Sequence, residues 1–84
     1  METIEKALRK FVVDNFLFGE EGDLSNEDSF LEKGIIDSTG IMELVSHVES
    51  AFKISVENRE LVPDNLDSIS RVAAFVRKKQ GGDA

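Results

Sequence analysis

Three stretches of this 84-residue chain repeat apolar side chains at helical spacing, and that repetition limits the fold more than any other feature of the sequence. In the first stretch, Ile4, Ala7, Leu8, Phe11 and Val12 share one face, with Phe16 and Leu17 extending it. The second carries Ile41, Leu44, Val45, Val48 and Phe52, and the third Ile69, Val72, Ala73 and Val76 with Phe75 at its flank. Each helix buries its apolar stripe only by packing against the others, so the pattern predicts an all-α bundle. The first helix is expected from Thr3 to about Leu17 and the second from Ser38 to Phe52. The last is expected from a cap at Asp67 or Ser68 to the Gly81-Gly82 break, with Arg77, Lys78 and Lys79 complementing its negative end.

The remaining segments read as connections. Residues 18–37 are rich in Gly, Asp, Glu, Ser and Asn and form a loop too long to lie unpinned in a compact domain. A short helical turn at Asp28-Ser29-Phe30-Leu31 is expected to bury Phe30 and Leu31, with Ile35 or Ile36 holding the loop exit. Lys53-Ile54-Ser55-Val56 reads as an extended connector with Ile54 and Val56 turned inward. Pro63 suits the first turn of a short third helix within Val62–Leu66, because its missing N–H would be unpaired there anyway. The expected architecture is a small four-helix bundle: three main helices, a short third helix and a long loop between helices 1 and 2. One domain over residues 1–80 is expected, followed by a flexible tail at 81–84.

Charge narrows the partners. Residues 1–70 hold 16 acidic and 6 basic side chains, leaving that portion at −10, while the remainder is +3. Such a surface repels nucleic acid phosphates and favours basic patches on proteins. The chain has no cysteine, so it has no thiolate nucleophile and no cysteine-based metal site. Asp23-Leu24-Ser25-Asn26-Glu27-Asp28 fails as a calcium loop, having Asp28 at the glycine position and Gly34 at the final glutamate position. His47, the only histidine, has no partner legible in the sequence and is expected at the surface or its boundary. No apolar run approaches the roughly 18 residues of a membrane span. A cytoplasmic monomer with no membrane insertion and no metal is expected.

The stretch Gly34-Ile35-Ile36-Asp37-Ser38-Thr39-Gly40-Ile41-Met42-Glu43-Leu44 sets a hydroxyl at the start of the second helix, where unpaired N–H groups favour a phosphate ester. Asp37-Ser38, with Gly-Ile-Ile before it and Ile-Met-Glu-Leu-Val after it, resembles the modification site of acyl carrier proteins and the related peptidyl and aminoacyl carriers. The resemblance runs from about Ile4 to Val76 and includes Phe52-Lys53-Ile54 and Asn65-Leu66-Asp67-Ser68-Ile69.

The resemblance implies a non-enzymatic carrier of a small acyl-carrier-type fold. Ser38 would receive 4′-phosphopantetheine from coenzyme A, and a cargo would ride on its thiol as a thioester. Asp37 would either cap the second helix or help engage the metal ion of the phosphopantetheinyl transferase. Thr39, Met42, Glu43, Ser46 and Glu49 would form the face that partner enzymes recognise, although Met42 could also pack partly into the core. Partners would be that transferase, an acyl- or aminoacyl-activating ligase, and a downstream acyltransferase or synthase of fatty acid or secondary metabolite biosynthesis.

Fatty-acid carriers usually follow the serine with leucine and an acidic residue. Here Thr39 and Gly40 stand instead, and Ser-x-Gly is similar to D-alanyl and other stand-alone aminoacyl carriers. Pro63 to Ile69 is similar to peptidyl and specialised acyl carriers. A specialised stand-alone carrier is therefore expected, with acyl and aminoacyl cargo both open. A rival of another class is an unmodified acidic adaptor that uses the second helix only for binding proteins.

Overall fold

A computed structural model of the chain describes residues 3–19, 22 and 24–82. The described residues form an all-helical fold: α1 over Ile4–Phe16, α2 over Ser38–Phe52, α3 over Pro63–Leu66 and α4 over Ile69–Arg77. Short polar side chains define the starts of the three longer helices. The Thr3 hydroxyl accepts from the Lys6 N–H at 3.1 Å, the Asp37 carboxylate from Gly40 at 2.8 Å, and the Ser68 hydroxyl from Arg71 at 3.1 Å. Each bond satisfies a first-turn donor that has no intrahelical partner. Of the two expected caps for α4, Ser68 is the one used.

The core gathers Leu8 and Val12 from α1, Leu44, Val45 and Val48 from α2, and Ile69, Val72, Ala73, Phe75 and Val76 from α4. Phe30, Ile36 and Leu66 complete it from the loop and α3. Three placements differ from the sequence reading. Leu31 is 47% exposed while its neighbour Phe30 is buried, because a single turn at this point can send only one of two adjacent side chains inward. Phe75 is inside the core and not at its flank. Helix α4 ends at Arg77, where a wide turn over Lys78–Gly82 takes over and Gly81 leaves helical geometry at φ 98°. Of the expected flexible tail, Asp83 and Ala84 lie outside the described residues.

The long loop is pinned to the rest of the bundle. Asp67, directly before the α4 cap, accepts from Phe30 N–H through its carbonyl at 2.8 Å and from Leu31 N–H through its carboxylate at 3.0 Å. The Ser29 hydroxyl donates to the same carboxylate. Farther back, Arg9 of α1 donates to the Leu24 carbonyl at 2.8 Å and to the Asn26 side chain at 2.6 Å, and Ser70 donates to Glu27 at 2.7 Å. These bonds replace the regular structure that the segment lacks.

At the far side, Arg77 grips Glu5 with two bonds of 2.8 and 2.6 Å, tying α4 to α1. The guanidinium is the main cause holding the Glu5 carboxyl below its ordinary range.

Helix α2 ends at Lys53, whose φ of 57° is left-handed, and the Lys53 N–H bonds the Glu49 carbonyl. Ile54 and Val56 then pack against the core as expected. A one-turn 3-10 helix at Asn58–Glu60 precedes α3. It was not legible in Glu57-Asn58-Arg59-Glu60, because it depends on side chains bonding back to the backbone, as the Glu60 carboxylate does to Glu57 N–H at 2.9 Å.

His47 lies half-buried on α2, its ring stacked on Phe11 of α1 at 3.9 Å with 9° between the planes. Burial pushes its pKa below the ordinary 6.5. The unfolded chain therefore takes up a proton at a higher pH than the folded one. The stability from keeping the imidazole neutral is complete above the unfolded value and is lost as the pH falls through 6.5 toward the folded value. Urea melts between pH 7.5 and 5.5 are expected to show declining stability for the wild type and a flatter profile for His47→Gln. Equal slopes would show that this imidazole is not the titrating group.

Candidate functional site

Local sequence chemistry builds the site at the start of α2. Gly34, with φ 68°, lets the loop turn, and Ile36 plugs the core at 1% exposure so that Asp37 and Ser38 emerge on the surface. Asp37 is the N-cap, in extended geometry at φ −94° and ψ −174°. Its carboxylate holds Gly40 N–H and its carbonyl holds Ile41 N–H at 2.9 Å. Ser38 is the first helical residue and is exposed. It stands at the positive end of a 15-residue helix.

Gly40 is buried, and its place is tight. A Cβ there would come within 2.8 Å of Ile36 Cγ2 and 2.9 Å of Phe16 Cε1. The glycine thus admits the end of α1 against the first turn of α2. The room it leaves is already filled by the protein's own side chains.

On the other side of Ser38 runs an open groove of about 250 Å³, walled by Ile41 and Met42 of α2, by Leu61, Val62, Pro63 and Leu66, and by Leu31 and Asp67. Three of the four large apolar side chains exposed among the described residues, Leu31, Met42 and Val62, stand on this groove. Such clustering sets them apart from singly scattered apolar residues, which are ordinary. Leu31 was expected in the core and Asp67 as a possible helix cap, and neither they nor Val62 were placed at the site by the sequence, because the groove joins segments some thirty residues apart. The only local clue was apolar Leu61-Val62 directly before Pro63.

The residues expected on the outward face of α2 divide. Thr39, Met42, Glu43 and Ser46 are exposed. Glu49 is half-buried, and its carboxylate accepts from Val56 N–H at 2.8 Å, so it secures the connector after α2. Asp37, Ser38 and Met42 therefore share one end of the helix, whereas Glu49 belongs to the opposite end.

A cap role for Asp37 has a measurable size. Asp37→Ala is expected to lower stability by about 0.5–2 kcal/mol, a drop in Tm of about 4–8 °C per kcal/mol for a domain of this size. Asp37→Asn keeps a capping oxygen and is expected to melt near the wild type. A Tm for the alanine variant equal to that of the wild type would show that the 2.8 Å bond carries no stability.

The arrangement fits a tethered phosphate ester. Ser38 is exposed at the positive end of α2, and an apolar groove begins beside it. No helix among the described residues is long and apolar enough to cross a membrane. The phosphopantetheine attachment site family matches residues 17–76. The probable acyl carrier protein PigG of Serratia sp. (strain ATCC 39006) is 29% identical over 86 residues, covering 96% of this chain and 99% of that protein. The D-alanyl carrier protein of Streptococcus uberis (strain ATCC BAA-854 / 0140J) is 28% identical over 80 residues, covering 95% of this chain and 98% of its own length.

Proposed function

This chain belongs to the family of carrier proteins that bear 4′-phosphopantetheine, and from that premise we propose that Ser38 is the residue esterified and that the neighbouring groove receives the tethered arm. The observation that carries the assignment is the exposed Ser38 hydroxyl at the first position of α2, opening onto that groove. When attached, 4′-phosphopantetheine supplies the thiol that the cysteine-free chain lacks, and cargo is held there as a thioester. The protein's own residues position and expose the tether. Asp37 sets the start of the helix, the positive end of α2 would favour the phosphate, and Leu31, Met42 and Val62 would offer apolar contact to the arm. No basic residue adjoins Ser38 in sequence, so deprotonation of its hydroxyl falls to the phosphopantetheinyl transferase, for which this chain is a substrate.

Thr39, Met42, Glu43 and Ser46 form the proposed docking face for that transferase, for an activating ligase and for a downstream acyltransferase or synthase. Glu49 stands outside this face and holds the connector after α2. The groove, about 250 Å³ and open to solvent, offers apolar contact to part of the arm. A probable acyl carrier and a D-alanyl carrier are both relatives, which supports an acyl or an aminoacyl group as the cargo.

Incubation with coenzyme A and a broad-specificity phosphopantetheinyl transferase, followed by intact-mass measurement and peptide mapping, tests the proposal. One arm on the peptide containing Ser38 is expected. A folded protein that remained unmodified would favour the adaptor reading, in which α2 serves only as a binding surface.

A further inference from the structure

Lys79 sits in the wide turn that follows α4, yet its ammonium reaches the segment before α3, donating to both carboxylate oxygens of Glu60 at 3.0 and 3.1 Å. The two side chains are only 22 and 21% exposed, so water and salt screen this pair less than an ordinary surface pair. Phe75, four residues earlier and buried, places its ring centroid 5.9 Å from the same ammonium, within cation–π reach. The lysine is thus directed by a carboxylate and a ring from two parts of the fold.

Glu60 is the residue from which the α3 wall of the groove springs. Its carbonyl accepts from Val62 N–H at 2.9 Å and from the Asn65 side chain of α3 at 3.0 Å, while its carboxylate also accepts from Glu57 N–H at 2.9 Å. These bonds brace residues 57–65 as one unit, and Leu61, Val62 and Pro63 of that unit line the groove beside Ser38. An open groove exerts no packing on the residues that line it, so the wall's position depends on contacts made elsewhere in the same unit. Asp67 ties the end of α3 to the long loop, and Lys79 ties the approach to α3 to the turn after α4.

We propose that Lys79 is a positioning residue for the groove: by gripping Glu60, it holds Leu61 and Val62 at the spacing from α2 that receives the arm carried on Ser38. This assignment rests on the carrier reading. Lys79 does not line the groove and acts on it only through Glu60 and the braced unit.

Amide hydrogen exchange of the bare chain, together with methyl NMR spectra of the full chain before and after arm attachment from coenzyme A, tests the grip. Lys79→Met keeps the length of the side chain and removes its charge. In the bare variant the Leu61 and Val62 amides are expected to exchange about fivefold faster than in the wild type, with core amides such as Val48 unchanged. The arm-induced shifts of the Leu61 and Val62 methyls are expected to fall to about half as the receptive position becomes less populated. Lys79→Arg restores the charge and is expected to recover both readouts. Unaltered arm-induced shifts in Lys79→Met would overturn the proposal, and so would equal acceleration of all amides, because the pair would then support the whole fold and not the wall. A wild type that takes up no arm would overturn the carrier reading, whereas a wild type that takes the arm and matches Lys79→Met in every shift would overturn the grip alone.

Discussion

Replacing Ser38 with alanine is expected to abolish arm attachment altogether while leaving the fold intact. An ester needs a hydroxyl oxygen, and alanine supplies none. Because Ser38 is exposed and the capping bond of α2 comes from Asp37, the stability change should stay within about 0.5 kcal/mol. Intact mass after incubation with coenzyme A and transferase should remain that of the bare chain, beside a wild type that gains one arm. Thr39 provides a demanding internal control. It is the adjacent exposed hydroxyl on the same first turn, so an arm found on Thr39 in the variant would show that position along α2 is not what selects Ser38.

Truncating Phe30 to alanine is expected to produce the largest loss of stability, about 3–5 kcal/mol. The ring is 1% exposed and is among the largest of the fully buried side chains. A domain of 84 residues has a total stability of roughly 4–13 kcal/mol, so the loss ranges from a quarter of that stability to complete unfolding. The long loop would be affected most, since Phe30 N–H is bonded to Asp67 and the Phe30 carbonyl accepts from Ile35 at 2.9 Å. Leu31→Ala, one residue on, removes a half-exposed side chain and should cost far less. Denaturant melts of the two variants, read as midpoints at unchanged slope, would contradict this account of the core if they shifted equally.

Local signals made much of the fold legible in the sequence. Apolar periodicity located the three longer helices, Asp37 and Ser38 marked where α2 begins, and Pro63 marked α3. These effects act within one helical turn, so adjacent residues suffice to reveal them.

The pins of the long loop were not legible, because Ser29 and Asp67 are 38 positions apart and nothing in either residue announces the other. For the same reason Asp67 read as a possible cap when its oxygens in fact hold the loop. Gly40 was ambiguous for a different reason. A glycine in a helix is consistent with either open space or close packing, and only the positions of Ile36 and Phe16 decide for packing. At the site, the hydroxyl could be located from its neighbours, but the groove beside it required three distant segments to converge.

The double commitment of Asp67 has a mechanical consequence. Its carbonyl and carboxylate hold Phe30, Leu31 and Ser29, while the residue itself follows α3 and borders the groove. The walls of the groove that face α2 are thus fastened to each other by a single rivet. Any displacement of α3 must therefore also drag the loop bearing Leu31, so these walls move as one hinged panel and not as two independent shutters.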